Sequence, residues 1–244
     1  MPSFGPIAPH YDVLMANVPY EMWAGYYRLL LATIEHDPDT LLDVCCGTGN
    51  VAEIMVEAGY QVSGFDISPG MVEEAKRKAA AKGLAIDYAV ADARTVELGR
   101  TFDGAFSFFD SLNYITELEG FRAAIRQVAR HLEPGGSFVF DLNTAYAFEQ
   151  AMFDQVELRR NAKIRYHWKG DYDPGTRIIR VDMEFWRDDQ EIRETHHQRA
   201  HSDTEVREAL SDAGFTHIRV FESYTLDAPR KRSDRVHYTA LLGG

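Results

Sequence analysis

The chain has few cysteines, no long apolar run and no surplus of positive charge, and each shortage closes off a class of function. Of 244 residues only Cys45 and Cys46 are cysteine, and they are adjacent. Disulfide geometry wants the two Cα atoms some way apart, so such neighbours rarely bridge and cannot staple distant segments. A disulfide scaffold is excluded, and a reducing, cytoplasmic setting is expected. No stretch reaches the roughly 18 apolar residues of a membrane helix, so no membrane span is expected. The first residues, Met1-Pro2-Ser3-Phe4-Gly5-Pro6, lack a charged head followed by an apolar run, so no signal peptide is expected. Thirty-eight acidic residues against 26 basic ones leave a net charge of −12. Such a field repels phosphate backbones and disfavours nucleic acid as a partner. The one basic run, Pro229-Arg230-Lys231-Arg232, is short and reads as a solvated loop. His196, His197 and His201 suggest a metal, but on a strand His196 points away from the other two and no cysteine lies near, so none is expected.

What is present is a regular alternation of apolar runs and amphipathic stretches. Trp23, Tyr26, Tyr27, Leu30 and Ile34 recur at helical spacing over residues 20–36. Strands are expected at 41–45, 61–66, 85–90, 102–109 and 137–142, with helices between them from Asn50, from Pro69 behind the cap Ser68, and over 120–132. Alternating strands and helices predict an α/β fold, a doubly wound, Rossmann-like parallel sheet with helices on both faces. After strand five the period changes to two. Residues 156–169, 176–186 and 191–201 predict an antiparallel meander of three strands, with turns at Asp173-Pro174-Gly175 and Asp188-Asp189. Ser202-Asp203-Thr204-Glu205 then opens a helix as a capping box, and two strands, 216–224 and 235–242, follow.

The segment Leu41-Leu42-Asp43-Val44-Cys45-Cys46-Gly47-Thr48-Gly49-Asn50 carries the chemistry. Glycines at 47 and 49 let the backbone turn sharply and approach a ligand, and the next helix aims its free N–H groups at it. Asp66, at the end of the second strand, stands where a Rossmann-type site places a carboxylate for ribose hydroxyls. Gly47-x-Gly49-x-x-Ala52 also satisfies the dinucleotide pattern, so an NAD(P)-dependent oxidoreductase is the alternative. Asp43 discriminates. A carboxylate beside the turn repels a pyrophosphate and attracts an ammonium, by about 4 kcal/mol at 4 Å and an effective dielectric of 20. S-adenosyl-L-methionine, with an ammonium, a sulfonium, a ribose and an adenine, fits Asp43, the glycines and Asp66 together.

These motifs resemble those of the class I S-adenosylmethionine-dependent methyltransferases, over nearly the whole chain. Asp43-x-x-Cys46-Gly47-Thr48-Gly49 is similar to the family's glycine motif, Asp66-Ile67-Ser68-Pro69-Gly70-Met71 to its second, Asp92-Ala93 to its third, and Phe102-Asp103 leading to Phe109 to its fourth. Leu132-x-Pro134-Gly135-Gly136 and Ala8-x-x-Tyr11-Asp12 also resemble it. The resemblance implies a cofactor site of Tyr11, Asp43, Cys45, Gly47, Gly49, Asp66, Ile67, Met71, Asp92, Ala93 and Phe109. In it Asp66 holds the ribose diol, Ile67 and Met71 flank adenine, Asp92 bonds the adenine amino group, and Tyr11 covers the cofactor as part of a lid. It also implies a seven-stranded sheet with an antiparallel final strand.

Within the family, the meander and Glu194-Thr195-His196-His197 resemble the small-molecule (amino-sugar and amine) N-methyltransferases. Tyr114 stands where that group carries a histidine in the loop after strand four. The expected reaction is methyl transfer to a small molecule at an amine nitrogen, with a non-catalytic binding module as a further alternative. Candidates for a base are Tyr114, Asp110, Tyr11 and His201, left unranked; Trp23, Tyr114 and Asn143 are expected near the acceptor. Residues 1–143 and 202–244 are read as the methyltransferase domain. Residues 144–201 are read as an inserted subdomain that roofs the acceptor or forms a homodimer contact.

Overall fold

A computed structural model describes residues 4–187 and 190–244. A short 3-10 helix, Ala8–His10, leads into α1 (Tyr11–Leu14) and α2 (Tyr20–Thr33). Then β1 (Thr40–Val44), α3 (Asn50–Glu57), β2 (Gln61–Asp66), α4 (Pro69–Lys82) and β3 (Asp87–Val90) alternate. After β4 (Phe102–Ser107) come a 3-10 turn, Ser111–Tyr114, then α5 (Leu118–Arg130) and the long β5 (Leu132–Asn143). α6 (Ala145–Glu149) precedes β6 (Gln155–Glu157), β7 (Arg165–Asp173), β8 (Ile178–Arg187) and β9 (Gln190–Arg199). α7 (Asp203–Asp212), β10 (Phe215–Glu222) and β11 (Arg235–Leu242) complete the series.

Seven strands form one sheet in the order β10-β11-β5-β4-β1-β2-β3, and only β11 runs antiparallel to its neighbours. This is the doubly wound architecture expected from the alternation. Apolar cores lie on both faces. Phe121, Ile125 and Val128 of α5 and Leu210 of α7 pack with Phe138 and Phe140 of β5 on one side. Tyr27 and Leu30 of α2, Met55 of α3 and Val72 of α4 pack on the other. The helix ends form as their sequences dictate. Ser68 Oγ accepts from the Met71 N–H, and Ser202 and Glu205 close both halves of the capping box, a motif worth about 1 kcal/mol.

The second sheet, β6-β7-β8-β9, is antiparallel throughout. In β8 the period-two pattern turns Ile179, Val181, Met183 and Phe185 inward against Phe148 of α6 and Ile7. Four strands stand where three were expected. Glu157 accepts from the backbone and guanidinium of Arg159, which curls the chain and splits the first expected strand into β6 and β7. Asp173 accepts from the Gly175 N–H and the Thr176 hydroxyl, each at 2.8 Å, and makes the expected turn. The turn expected at Asp188-Asp189 lies outside the described residues. β5 begins earlier than expected, because Leu132 already pairs with Phe102 and Pro134-Gly135-Gly136 forms an irregularity within the strand.

Candidate active site

β1 and β4 are neighbours whose connections run to opposite sides of the sheet, which opens a crevice at their carboxyl ends. A cavity of about 1050 Å³ occupies it and extends under the four-stranded sheet. That is the upper end of the range for small-ligand sites.

At one end the glycine turn forms the wall. Cys45 and Gly47 both have left-handed φ, +62° and +54°, so the loop after β1 doubles back sharply. A Cβ on Gly47 would meet no atom within 4 Å, because that side is open. Asp66 accepts from the Gly47 N–H at 3.0 Å and the Ser68 N–H at 2.8 Å. Burial pushes its carboxyl up against those two bonds. Asp43 is 4 % exposed and lines the cavity, and among the described residues its carboxylate has no hydrogen bond or ion pair. Burial first, and then the Asp66 carboxylate, hold its carboxyl well above the usual range. A buried, unpaired carboxylate facing a cavity is a seat for a cation. Beside it Ile67 is half exposed while Met71 is buried, an apolar slot for a flat ring. Asp92 is paired with Arg94, which lowers its carboxyl.

α1 closes this end. Asp12 accepts from Thr48 Oγ1 at 2.6 Å and Asn50 Nδ2 at 3.0 Å, and pairs with Lys78 at 2.7 Å. The N-terminal segment is thereby bolted to the glycine turn, with Tyr11 on the cavity side.

The other end is aromatic and polar. Phe109 and Asp110 are consecutive non-glycine residues with left-handed φ, +63° and +51°, a costly backbone that persists only where its surroundings hold it. Phe109 stacks on Trp23 with ring centres 4.1 Å apart. Asp110 pairs with Arg235 at 2.7 Å and accepts from Gln198 Nε2 at 2.6 Å. Arg235 also pairs with the fully buried Asp141. Tyr114 Oη lies 3.0 Å from His196 Nδ1, and His196 Nε2 lies 2.7 Å from Glu194. Burial pushes the Tyr114 phenol well up. Asn143 Nδ2, Gln198 Oε1 and Trp168 Nε1 are buried without partners on residues that line the cavity.

Most of the expected site residues meet in this cavity: Tyr11, Asp43, Cys45, Gly47, Asp66 and Ile67, then Met71, Asp92, Ala93 and Phe109, and at the far end Trp23, Asp110, Tyr114 and Asn143. Two do not. Gly49 sits behind the turn, where a Cβ would lie 2.2 Å from Tyr88 Oη, so its smallness serves packing. His201 is not among the lining residues; it stacks on Phe121 and bonds the Ile115 carbonyl at 3.0 Å, which corrects its candidacy as a base. Sequence reasoning missed the pairing of Glu194 and His196 with Tyr114, the Arg235 fork, the Asp12 bolt and the Phe4 ring. Alternation along β9 placed Glu194 and His196 on one face, but nothing local said which face met Tyr114.

Residues 41–136 match the methyltransferase domain family. The fold superimposes on an S-adenosylmethionine-dependent methyltransferase from Clostridium acetobutylicum ATCC 824 with a TM-score of 0.86, over 100 % of both chains at 25 % identity. The sugar N-methyltransferase KedS8 from Streptoalloteichus sp ATCC 53650 shares the fold at a TM-score of 0.79 and 20 % identity, over 96 % of this chain and 93 % of that one. A dTDP-3-amino-3,4,6-trideoxy-alpha-D-glucopyranose N,N-dimethyltransferase of Streptomyces venezuelae is 33 % identical over 105 residues, 43 % of each chain. The matched domain, the sheet order and the full-length superposition agree with one another: the chain is an S-adenosylmethionine-dependent methyltransferase.

Proposed function

We propose that the chain methylates a small molecule at an amine nitrogen. The observation that carries the reading is Tyr114, a cavity-lining phenol backed by the His196–Glu194 pair. An amine arrives protonated at neutral pH and has no lone pair until a base relieves it. Bound S-adenosylmethionine supplies an activated methyl group on a sulfonium, so the chain's own residues have to bind, align and deprotonate the acceptor. Alignment alone is worth about 7–11 kcal/mol. Asp43 then faces the methionyl ammonium, Asp66 the ribose diol, and Asp92 the adenine amino group between Ile67 and Met71. Ala93, Cys45 and the backbone at Gly47 and Phe109 complete the seat, and Tyr11 covers it.

The acceptor lies against Trp23, Tyr114 and Asn143, roofed by the inserted residues 144–201, with Trp168 and Met183 of the second sheet lining the cavity there. The likeness to a sugar N-methyltransferase and to an amino-sugar N,N-dimethyltransferase supports the amine. The −12 charge favours a small cationic acceptor over a nucleic acid, and two unpaired cysteines suit a reducing compartment.

Labelled S-adenosylmethionine and a panel of amino sugars and alkylamines, with matched alcohols, test this. Label on nitrogen is the expected result, with Tyr114→Phe slowing it by about 10²-fold or more. Label only on the alcohols would overturn the amine assignment.

A further inference from the structure

We infer that His196 and Glu194 are positioning residues that draw a proton through Tyr114, so that the base of the reaction is divided between the two sheets. The inference rests on the amine reading above. Tyr114 comes from the turn after β4 and lines the cavity, whereas His196 and Glu194 lie two residues apart on β9 and stand behind it. Glu194 is fixed by more than the imidazole: it accepts from the Phe4 N–H at 2.8 Å and the Ile7 N–H at 3.3 Å. A carboxylate surrounded by donors has nothing to donate, so the His196 proton sits on Nε2, toward Glu194. The Nδ1 lone pair is then left for the Tyr114 hydroxyl, 3.0 Å away.

That tautomer sets the direction of flow. The acceptor ammonium gives a proton to Tyr114 Oη while the Tyr114 hydroxyl gives its own to His196 Nδ1. The phenol ends unchanged and the imidazole becomes an imidazolium. At 1 % exposure a cation there needs a counter-charge, and Glu194 at 2.7 Å supplies it. The freed amine lone pair forms the new N–C bond as the C–S bond breaks, and that bond's electron pair stays on sulfur. The imidazolium returns its proton to water after the product leaves. The Phe4 ring, 4.4 Å from His196 and 5.7 Å from Tyr114, shields the path. Tyr11 and Asp110 are the other titratable groups that face it. Burial of the Tyr114 phenol agrees with this: a lone phenolate is unfavourable there, so the proton has to pass beyond the ring oxygen.

His196→Asn keeps an acceptor atom near the place of Nδ1 but takes no proton. Two probes of similar size, assayed on the acid side of neutrality, separate the roles: methyl glucosaminide, an ammonium there, and its N-methoxy derivative, still a free base. With the amine, kcat should fall by about 10²-fold or more, and the deficit should close as the pH is raised. With the N-methoxy probe the loss should be small. Equal losses on both probes, flat with pH, would overturn the relay and leave a packing role. Nitrogen NMR of the enzyme loaded with S-adenosylhomocysteine reads the tautomer directly: Nε2–H is expected, and Nδ1–H refutes the direction of flow. If the wild type labels only the alcohols of the panel above, the amine reading fails, and the tautomer alone then decides the relay.

Discussion

Asp43→Asn should stabilise the ligand-free protein and weaken cofactor binding in the same step. Asp43 is buried, has no partner among the described residues, and stands near a second carboxylate at Asp66. Burial and that neighbour raise its folded pKa above the unfolded value. A group shifted in this direction supports the fold below its unfolded pKa, and the support is lost as the pH rises through the folded value. At neutral pH, above the unfolded value, its titration therefore opposes folding. An unmatched buried amide still costs about 1–3 kcal/mol and a charge costs more, so the exchange removes only that excess, about 1 kcal/mol or more at neutral pH. At roughly 2–4 °C per kcal/mol for a chain of this size, Tm without ligand should rise by at least about 2 °C. With ligand the sign reverses. Removing one partner of a buried charge pair costs about 2–5 kcal/mol, roughly 30-fold to several thousand-fold in Kd. Calorimetric titration of S-adenosylmethionine, S-adenosylhomocysteine and methylthioadenosine separates the causes. The first two carry the ammonium and should lose affinity together; methylthioadenosine lacks it and should bind the variant as well as the wild type. A variant that unfolds earlier, or that weakens all three ligands equally, would refute the assignment of Asp43 to the ammonium.

Three further outcomes follow from the packing. Gly49→Ala forces a side chain onto a φ of +77° and into Tyr88 Oη, which should cost about 1–3 kcal/mol for the backbone alone; adding Tyr88→Phe should recover part of the fall in urea midpoint. Arg235→Met leaves Asp141 buried without its cation and should cost about 3–5 kcal/mol, while a second change, Asp141→Asn, should restore most of it. Burial lowers His201 to about 4 and His237 to about 3. The unfolded chain thus binds protons that the native one refuses, and stability should fall as the pH drops from about 6.5 toward 4. His237→Leu should flatten that slope by up to about 1.4 kcal/mol per pH unit in Tm-derived stability.

The parallel half of the fold was legible because its signals are local. Ser68 caps, Pro69 starts and Gly83 ends α4 within a few residues, and the Gly47-Thr48-Gly49 turn announces both a ligand and the helix behind it. The meeting of Asp43, Asp66 and Asp92 at one end of the cavity was legible for the same reason, since they stand at or near the carboxyl ends of β1, β2 and β3. The acceptor end was not. Tyr114 meets His196 across 82 residues and Arg235 meets Asp110 across 125, contacts that no periodicity encodes. His201 misled because alternation tells which residues share a face, and not which face looks into the cavity. The break between β6 and β7 was hidden by side-chain bonds of Glu157 to a residue two positions on, chemistry that a pattern of apolar and polar residues does not register.

The insertion of β11 between β5 and β10 has a consequence for synthesis. Until residues 235–242 leave the ribosome, β5 has an unpaired edge formed by Phe138, Val139 and Phe140, and an open edge of this kind invites pairing with other chains. The same late segment brings Arg235, which joins Asp110 to Asp141. A nascent chain that has already made its glycine turn therefore still lacks a finished acceptor wall. Contacts this distant in sequence are slow to form, so the interval in which a chaperone has most to protect lasts until residues 235–242 have been made.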